Sequence, residues 1–421
     1  MKFFFPDSQD QVDPYFDMKS EDHPIHRIRQ RDDVYAHEIL KARPFDGLLL
    51  TKPIIDGRAG GAGSHYTAGA RQRLYREGVR DFFRLEGEHS DVLTMGDCGA
   101  FTYATEYDVP YKVDEVVDFY HGCGFDRGVA PDHIIFGFFR PGTGPDKEEL
   151  REFKRRAKIT FENARLFLDI HDRRNCTFEP MAAAHGWDAA SYAQSVADLI
   201  ALGYRRIAMG GMVPLKTVDI VDTLKVVKRE LRKATELHLL GVTRVHEMHL
   251  FMDLGVTSFD STSPFFQAFK DADDNYYLGE EAYVAIRISQ VDGNAGMKRA
   301  ISAGRLDQNI ALKMESRALD LVRKYAQRRV SLNAALTAVL EYEALMPSRS
   351  DRSNDYRRTL ADRPWEHCNC GICQAVGVEV ILFRGSERNK RRGFHNLAVF
   401  RERMDKLDIP VSYTHLRAHE T

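Results

Sequence analysis

The chain runs to 421 residues, 43% of them hydrophobic and 29% charged, which suffices for one large α/β domain with a smaller appendage. Composition this close to the globular average excludes a disordered, collagen-like or disulfide-framed protein. Sixty Lys and Arg against 62 Asp and Glu leave a net charge of −2, so any surface for nucleic acid has to be local. No apolar run is long enough to cross a bilayer, and Met1-Lys2-Phe3-Phe4-Phe5-Pro6 is too short for a secretory core. Six cysteines, three of them crowded into 368–373, do not form a secreted framework. The expected setting is therefore the reducing cytoplasm, away from membranes.

Short β-rich runs recur along the chain at Phe3–Phe5, Gly47–Leu50, Asp91–Met95, His133–Phe138, Thr177–Ala183, Arg206–Met209, Leu237–Val242 and Thr257–Phe259. Helical periodicity fills the intervals. In 147–171, Leu150, Phe153, Ala157, Phe161, Ala164 and Leu168 step by three and four, and Val221, Leu224, Val227 and Leu231 do so in 216–234. Asp188 is placed to cap a helix over 189–203. Eight strand–helix units predict a closed (β/α)8 barrel of the TIM type, with its chemistry at the strand C-termini. The glycine cluster Gly57–Gly63 has neither dinucleotide nor P-loop spacing and reads as a mobile loop. A polar loop is expected over 271–277, followed by helical sequence to about Leu345. The polar stretch 346–364 then marks a boundary, which gives a catalytic barrel with C-terminal helices over 1–345 and a zinc-binding subdomain over 346–410. The last eleven residues, 411–421, lack periodicity and read as a non-native tail.

The strongest local signal is Cys368-Asn369-Cys370-Gly371-Ile372-Cys373 followed by His395. Three thiolates and an imidazole suit tetrahedral Zn²⁺, and four protein ligands leave no open position for water, so one structural zinc per chain is expected. His367, beside the first cysteine, would point away. Cys98, Cys123 and Cys176 read as reduced bystanders. The basic run of Arg384 and Arg388-Asn389-Lys390-Arg391-Arg392 reads either as a grip on a phosphate backbone or as a solvated charged loop. Two aspartates close predicted strands, Asp97 after Met95-Gly96 and Asp260 after Ser258-Phe259. In a barrel mouth such a pair can divide nucleophile and acid/base roles, as glycosidic chemistry requires. Gly210-Gly211 would let a flat ligand approach the backbone.

Together these pieces resemble the tRNA-guanine transglycosylase superfamily. Gly96-Asp97-Cys98-Gly99-Ala100-Phe101 is similar to that family's Asp-Ser-Gly-Gly-Phe-Gln segment, and Ile207-Ala208-Met209-Gly210-Gly211-Met212 to its Gly-Gly strand end. Leu240-Gly241-Val242 is similar to its Met-Gly-Val strand. Gly255-Val256-Thr257-Ser258-Phe259-Asp260 resembles the Gly-Ile-Asp-Met-Phe-Asp segment that carries the nucleophile, and the matches keep family order from about 91 to 400. The resemblance implies a pentosyltransferase in which Asp260 attacks C1′ and expels guanine, Asp97 handles protons, and Gly210, Gly211, His185 and Phe101 meet the base. A 7-deazaguanine then resolves the covalent intermediate on a flipped-out nucleotide.

The chain also departs from the tRNA enzymes. Phe138-Phe139-Arg140 stands in the region of an acid that reads the guanine edge, and His185-Gly186 is the nearest match to a glutamine on the next strand. Ser261–Phe266 replaces the basic loop that grips RNA in that family. The pattern is closer to the divergent branch that inserts 7-deazaguanines such as preQ0 into DNA, with a tRNA enzyme of queuosine or archaeosine modification as the alternative. A zinc-dependent barrel hydrolase is a remoter reading, since it needs His and carboxylate ligands at strand ends where only scattered histidines occur. The intact Asp97 and Asp260 speak against a non-catalytic nucleic-acid-binding subunit. The resemblance also brings a homodimer or a helper ATPase into view as partners.

Overall fold

The structure, a computed structural model, describes residues 1–7, 9–57, 64–270, 274–345 and 351–407. Residues 58–63 of the glycine cluster and the 411–421 tail lie outside the described residues. Eight parallel strands close in sequence order into a barrel: β1 Lys2–Pro6, β2 Gly47–Thr51, β3 Leu93–Asp97, β4 Arg127–Val129, β5 Glu179–Ala184, β6 Arg206–Met209, β7 Glu236–Leu239 and β8 Val256–Asp260. β1 pairs with β8, Phe4 opposite Asp260, and completes the ring. Phe4, Leu49, Met95, Val129, Met181, Ala183 and Ala208 are buried together as the barrel core. This is the (β/α)8 barrel that the strand–helix alternation predicts.

The helices follow their sequence signals. The stretch 147–171 forms a helix over Lys147–Arg173, capped by Asp146. Asp188 accepts the Ser191 amide at 2.7 Å at the start of Ala189–Leu202, as its position predicts. Helix 216–234 is shorter than its periodicity and spans Thr217–Val227.

One strand is misplaced by the sequence pattern. His133–Phe138, apolar and β-branched, carries no strand, and β4 lies upstream at Arg127–Val129. Composition hides the true strand, because its central residue must be glycine. A Cβ on Gly128 would sit 2.3 Å from the ring of Tyr120, which packs over the strand from helix Val113–Cys123. Ile134 and Ile135 owe their apolar character to burial beyond the strand.

Four consecutive strands begin with a charge: Arg127 on β4, Glu179 on β5, Arg206 on β6 and Glu236 on β7. Arg127 Nε stands 3.4 Å and Arg206 Nε 2.6 Å from Glu179, and Arg206 also pairs with Glu236. This ladder of alternating sign occupies the N-terminal end of the barrel, away from the strand ends that carry chemistry.

The contacts divide the described residues into two compact units, one within 1–9 and 45–262 and the other within 10–44 and 263–406. The division after the barrel falls at Thr262. Of the polar loop expected over 271–277, residues 271–273 lie outside the described residues, Asp274 and Asn275 carry no strand, and Tyr276 and Tyr277 belong to a hairpin in which Tyr276–Leu278 pairs antiparallel with Glu281–Tyr283. Helices Ala295–Ser302, Gln308–Ala326, Leu332–Glu343, Ser353–Asp362 and Gly385–Leu407 follow.

Both readings of the basic run are overturned. It lies on the helix Gly385–Leu407 and at its entry, and Arg384, Arg388, Arg391 and Arg392 are all buried. Arg384 holds Glu21 at 2.5 and 2.6 Å and Glu315 at 2.5 Å. Arg388 pairs with Glu21 and with Glu379 at 2.8 Å, and Arg391 with Glu387. Arg392 donates to the carbonyls of Val380, Leu382 and Ala268. These arginines are spent inside the fold and none is left to hold a phosphate backbone.

Candidate active site and metal centre

The strand ends of the barrel collect the predicted residues of the first unit. Asp97 ends β3, where its Oδ2 accepts the Gly99 amide at 3.0 Å and the Thr51 hydroxyl at 3.4 Å. Burial, then the nearby charges of Asp132 and Asp260, push the Asp97 pKa up to about 7, against the pull of those two hydrogen bonds. A carboxyl in this state exists in both protonation forms at neutral pH, as proton transfer in both directions requires.

Asp260 ends β8 and is held differently. Its Oδ1 accepts the Gly241 amide at 3.0 Å and lies 3.1 Å from His238 Nε2. His238 Nδ1 is 2.9 Å from Ser258 Oγ. Two donors on a single oxygen fix the orientation of this carboxylate.

Asp132, which the sequence reading missed, stands just beyond the end of β4 and is 2% exposed. Its Oδ1 accepts the Cys98 thiol at 2.9 Å, and its Oδ2 lies 2.6 Å from His185 Nε2. Burial and then the Asp132 charge raise the Cys98 pKa far above the ordinary thiol range, so Cys98 serves as an S–H donor and is no bystander. An acid thus stands between the end of β4 and Phe138-Phe139-Arg140, where Arg140 is paired with Asp219 at 2.6 and 3.0 Å. Placing the strand at 133–138 had put Asp132 ahead of it, hiding an aspartate that follows a strand end just as Asp97 does. His238 left a fainter trace, a lone histidine between the leucines of a buried strand.

His185 packs directly on the turn after β6. A Cβ on Gly210 would fall 2.3 Å from its ring, and one on Gly211, whose φ is +71°, 2.7 Å from the Ile135 carbonyl. The Gly210 amide is committed to the Ala184 carbonyl at 3.0 Å. Phe101 is 53% exposed, its ring 5.7 Å from the half-exposed Phe136. The barrel thus brings Asp97, Asp260, His185, Gly210 and Gly211 to its strand ends, with Phe101 in the turn after β3.

In the second unit, Cys368, Cys370, Cys373 and His395 are all buried, with their ligand atoms within 4.8 Å of one another. His395 Nδ1 lies 3.3–3.4 Å from each sulfur, close to the ligand–ligand edge of a tetrahedral metal site. Its Nε2 is 2.6 Å from the Tyr277 carbonyl, which fixes the tautomer that turns the Nδ1 lone pair toward the sulfurs. Tyr276 stacks on the imidazole at 4.0 Å and its hydroxyl lies 3.2 Å from Cys373 Sγ. Hydrogen bonds from Cys368 and Cys373 hold the Cys370 thiol well below its ordinary pKa. The donor set fits a metal ion. His367 is exposed and outside the group, as its position predicts, and no other group among the described residues meets metal-ligand spacing.

No family model matches the chain. A protein of Salmonella montevideo described as a DNA-guanine transglycosylase is 47% identical over 408 residues, 96% of each chain. Among the described residues no helix is long and apolar enough to cross a membrane. With near-complete coverage at this identity, and with the barrel, the strand-end aspartates and the Cys3His group in place, the chain belongs to the guanine transglycosylases, pentosyltransferases on a TIM-like barrel, and within them to the DNA-guanine transglycosylase family.

Proposed function

We propose that this chain exchanges guanine in DNA for a 7-deazaguanine of the preQ0 type through a glycosyl ester on Asp260. The observation that carries the reading is the contrast between two strand-end carboxyls, Asp260 fixed by two donors on one oxygen and Asp97 pushed up to about 7. A fixed carboxylate beside a carboxyl that can carry a proton near neutral pH is what a double displacement at an anomeric carbon needs. Asp260 Oδ2 attacks C1′ as the C1′–N9 bond breaks, and Asp97 gives a proton to the departing guanine. The incoming base then attacks C1′, Asp97 takes its N9 proton, and the C1′–Oδ2 bond returns its electrons to the carboxylate. Configuration is retained over the two steps.

Guanine and 7-deazaguanines share a Watson–Crick edge, so one set of groups can receive both. We assign that edge to Asp132 with His185 and to the Gly211 backbone, and one face of the ring to Phe101. The Cys3His group would hold a structural Zn²⁺, which would tie helix Gly385–Leu407 to the Cys368–Cys373 knuckle. Six unbridged cysteines suit the reducing cytoplasm.

The test is incorporation of labelled guanine and labelled preQ0 into plasmid DNA and bulk tRNA in parallel, with Asp260→Ala as the blank. Label in DNA that is lost with Asp260 supports the reading. Label in tRNA alone, or exchange that survives Asp260→Ala, overturns it.

A further inference from the structure

The nucleophile is not held by the backbone alone. β7 and β8 pair with an irregularity after Leu237, which skips Thr257 and sets Ser258 opposite His238. His238 and Ser258, 1% and 3% exposed, thereby join Asp260 in a buried file within the barrel. With Oδ1 as acceptor, the His238 proton sits on Nε2 and faces it at 3.1 Å, while Nδ1 accepts from the Ser258 hydroxyl at 2.9 Å. Gly241 N–H reaches the same Oδ1 at 3.0 Å. Oδ2 has no hydrogen-bond partner among the described residues.

We infer that His238 is a positioning residue which selects Oδ2 as the attacking atom and, with the Gly241 amide, stabilises Asp260 as the leaving group of the second displacement. The inference rests on the covalent reading above. Once C1′ is bonded to Oδ2, Oδ1 is the carbonyl oxygen of an ester. As that ester cleaves, the electron pair of the C1′–Oδ2 bond returns to the carboxylate, and negative charge grows on both oxygens. A donor already aimed at Oδ1 meets that charge without rearrangement. The same donor slightly lowers the nucleophilicity of Oδ2 in the first step. His238 therefore favours resolution over formation, and the covalent adduct is kept from accumulating.

The experiment is rapid-quench single turnover of full-length protein on duplex DNA, reading guanine release, trapped protein–DNA adduct and resolution by added preQ0. His238→Ala is expected to leave guanine release within a few-fold of wild type while slowing resolution by about 10- to 100-fold, the worth of a hydrogen bond to a charged group. Adduct then accumulates. His238→Gln, whose amide nitrogen reaches the Nε2 position, restores the wild-type partition, whereas the shorter His238→Asn does not. Should His238→Ala fail to fold, the Gln and Asn variants still separate a donor from a space-filler. Equal slowing of both steps, or a partition indifferent to the donor, overturns the inference. Absence of adduct from both wild type and His238→Ala while guanine is released overturns the covalent reading and this role with it, and Asp260→Ala, which should form none, marks that case.

Discussion

Glu21 offers a sharp test of the claim that the basic run is internal. Its carboxylate bridges Arg384 and Arg388 and accepts from Gln290 at 2.7 Å. Burial raises its pKa, but the Arg384 and Gln290 hydrogen bonds and the two guanidinium charges outweigh burial and hold it down to about 2, against an ordinary 4.5. A tenfold change in proton affinity is worth about 1.36 kcal/mol, so the linkage amounts to about 3 kcal/mol at pH 7. The sign follows from a folded-state pKa below the unfolded one: the stabilisation is complete above about pH 4.5 and drains away as pH falls toward 2, leaving about 1.5 kcal/mol at pH 3. Glu21→Gln should therefore lower the unfolding free energy by about 3 kcal/mol at neutral pH and by roughly half that at pH 3. Trp365, buried in the same unit, reports urea unfolding by fluorescence in a Trp187→Phe background. A neutral-pH difference below about 1 kcal/mol, or one unchanged between pH 7 and pH 3, would refute a buried pair and return the arginines to the surface.

Asp97→Asn should abolish exchange and also change the pH dependence of stability. The raised pKa means that wild type loses stability as pH climbs from about 4 to 7, and this slope should be absent in the variant by denaturation at pH 5 and 8. Asp132→Asn removes one of the charges that raise Asp97, so the alkaline limb of single-turnover guanine release should move to lower pH; a limb that stays in place would separate the two residues. Cys370→Ser should reduce bound zinc, measured by mass spectrometry, from one per chain to none, with a large loss of soluble folded protein, as expected of a structural ion. Wild-type zinc content in that variant would remove Cys370 from the ligand set.

The sequence disclosed whatever depends on local pattern. Asp188 at its cap, the crowding of Cys368, Cys370 and Cys373, and Asp97 and Asp260 closing strands all follow from short-range spacing. What escaped depends on side chains met across the fold. Gly128 looks like a strand breaker until the ring of Tyr120 is known to lie against it, and with β4 misplaced, Asp132 dropped from view. The arginines of 384–392 look solvated until Glu21, Glu315 and Glu379 arrive from distant segments to pair with them. His238 is legible only through the skipped residue that sets Ser258 opposite it. Charge and burial decide these positions jointly, and burial is the quantity that a linear pattern conveys least.

The charged ladder at the base of the barrel bears on the far end as well. Arg127, Glu179, Arg206 and Glu236 head the strands β4 to β7, the same four whose other ends lead into Asp132, His185, Gly210 and Gly241. Sliding one of these strands by a single residue would shift its mouth residue by about 3.3 Å and turn alternate side chains to the opposite face. It would also pull its basal charge out of line with both neighbours. The ladder thus acts as a gauge of strand height: the alignment of the groups proposed to meet the base is checked at the opposite pole of the barrel, by residues at the strand starts. Evolution can then vary the chemistry at the rim while the alignment is kept from below.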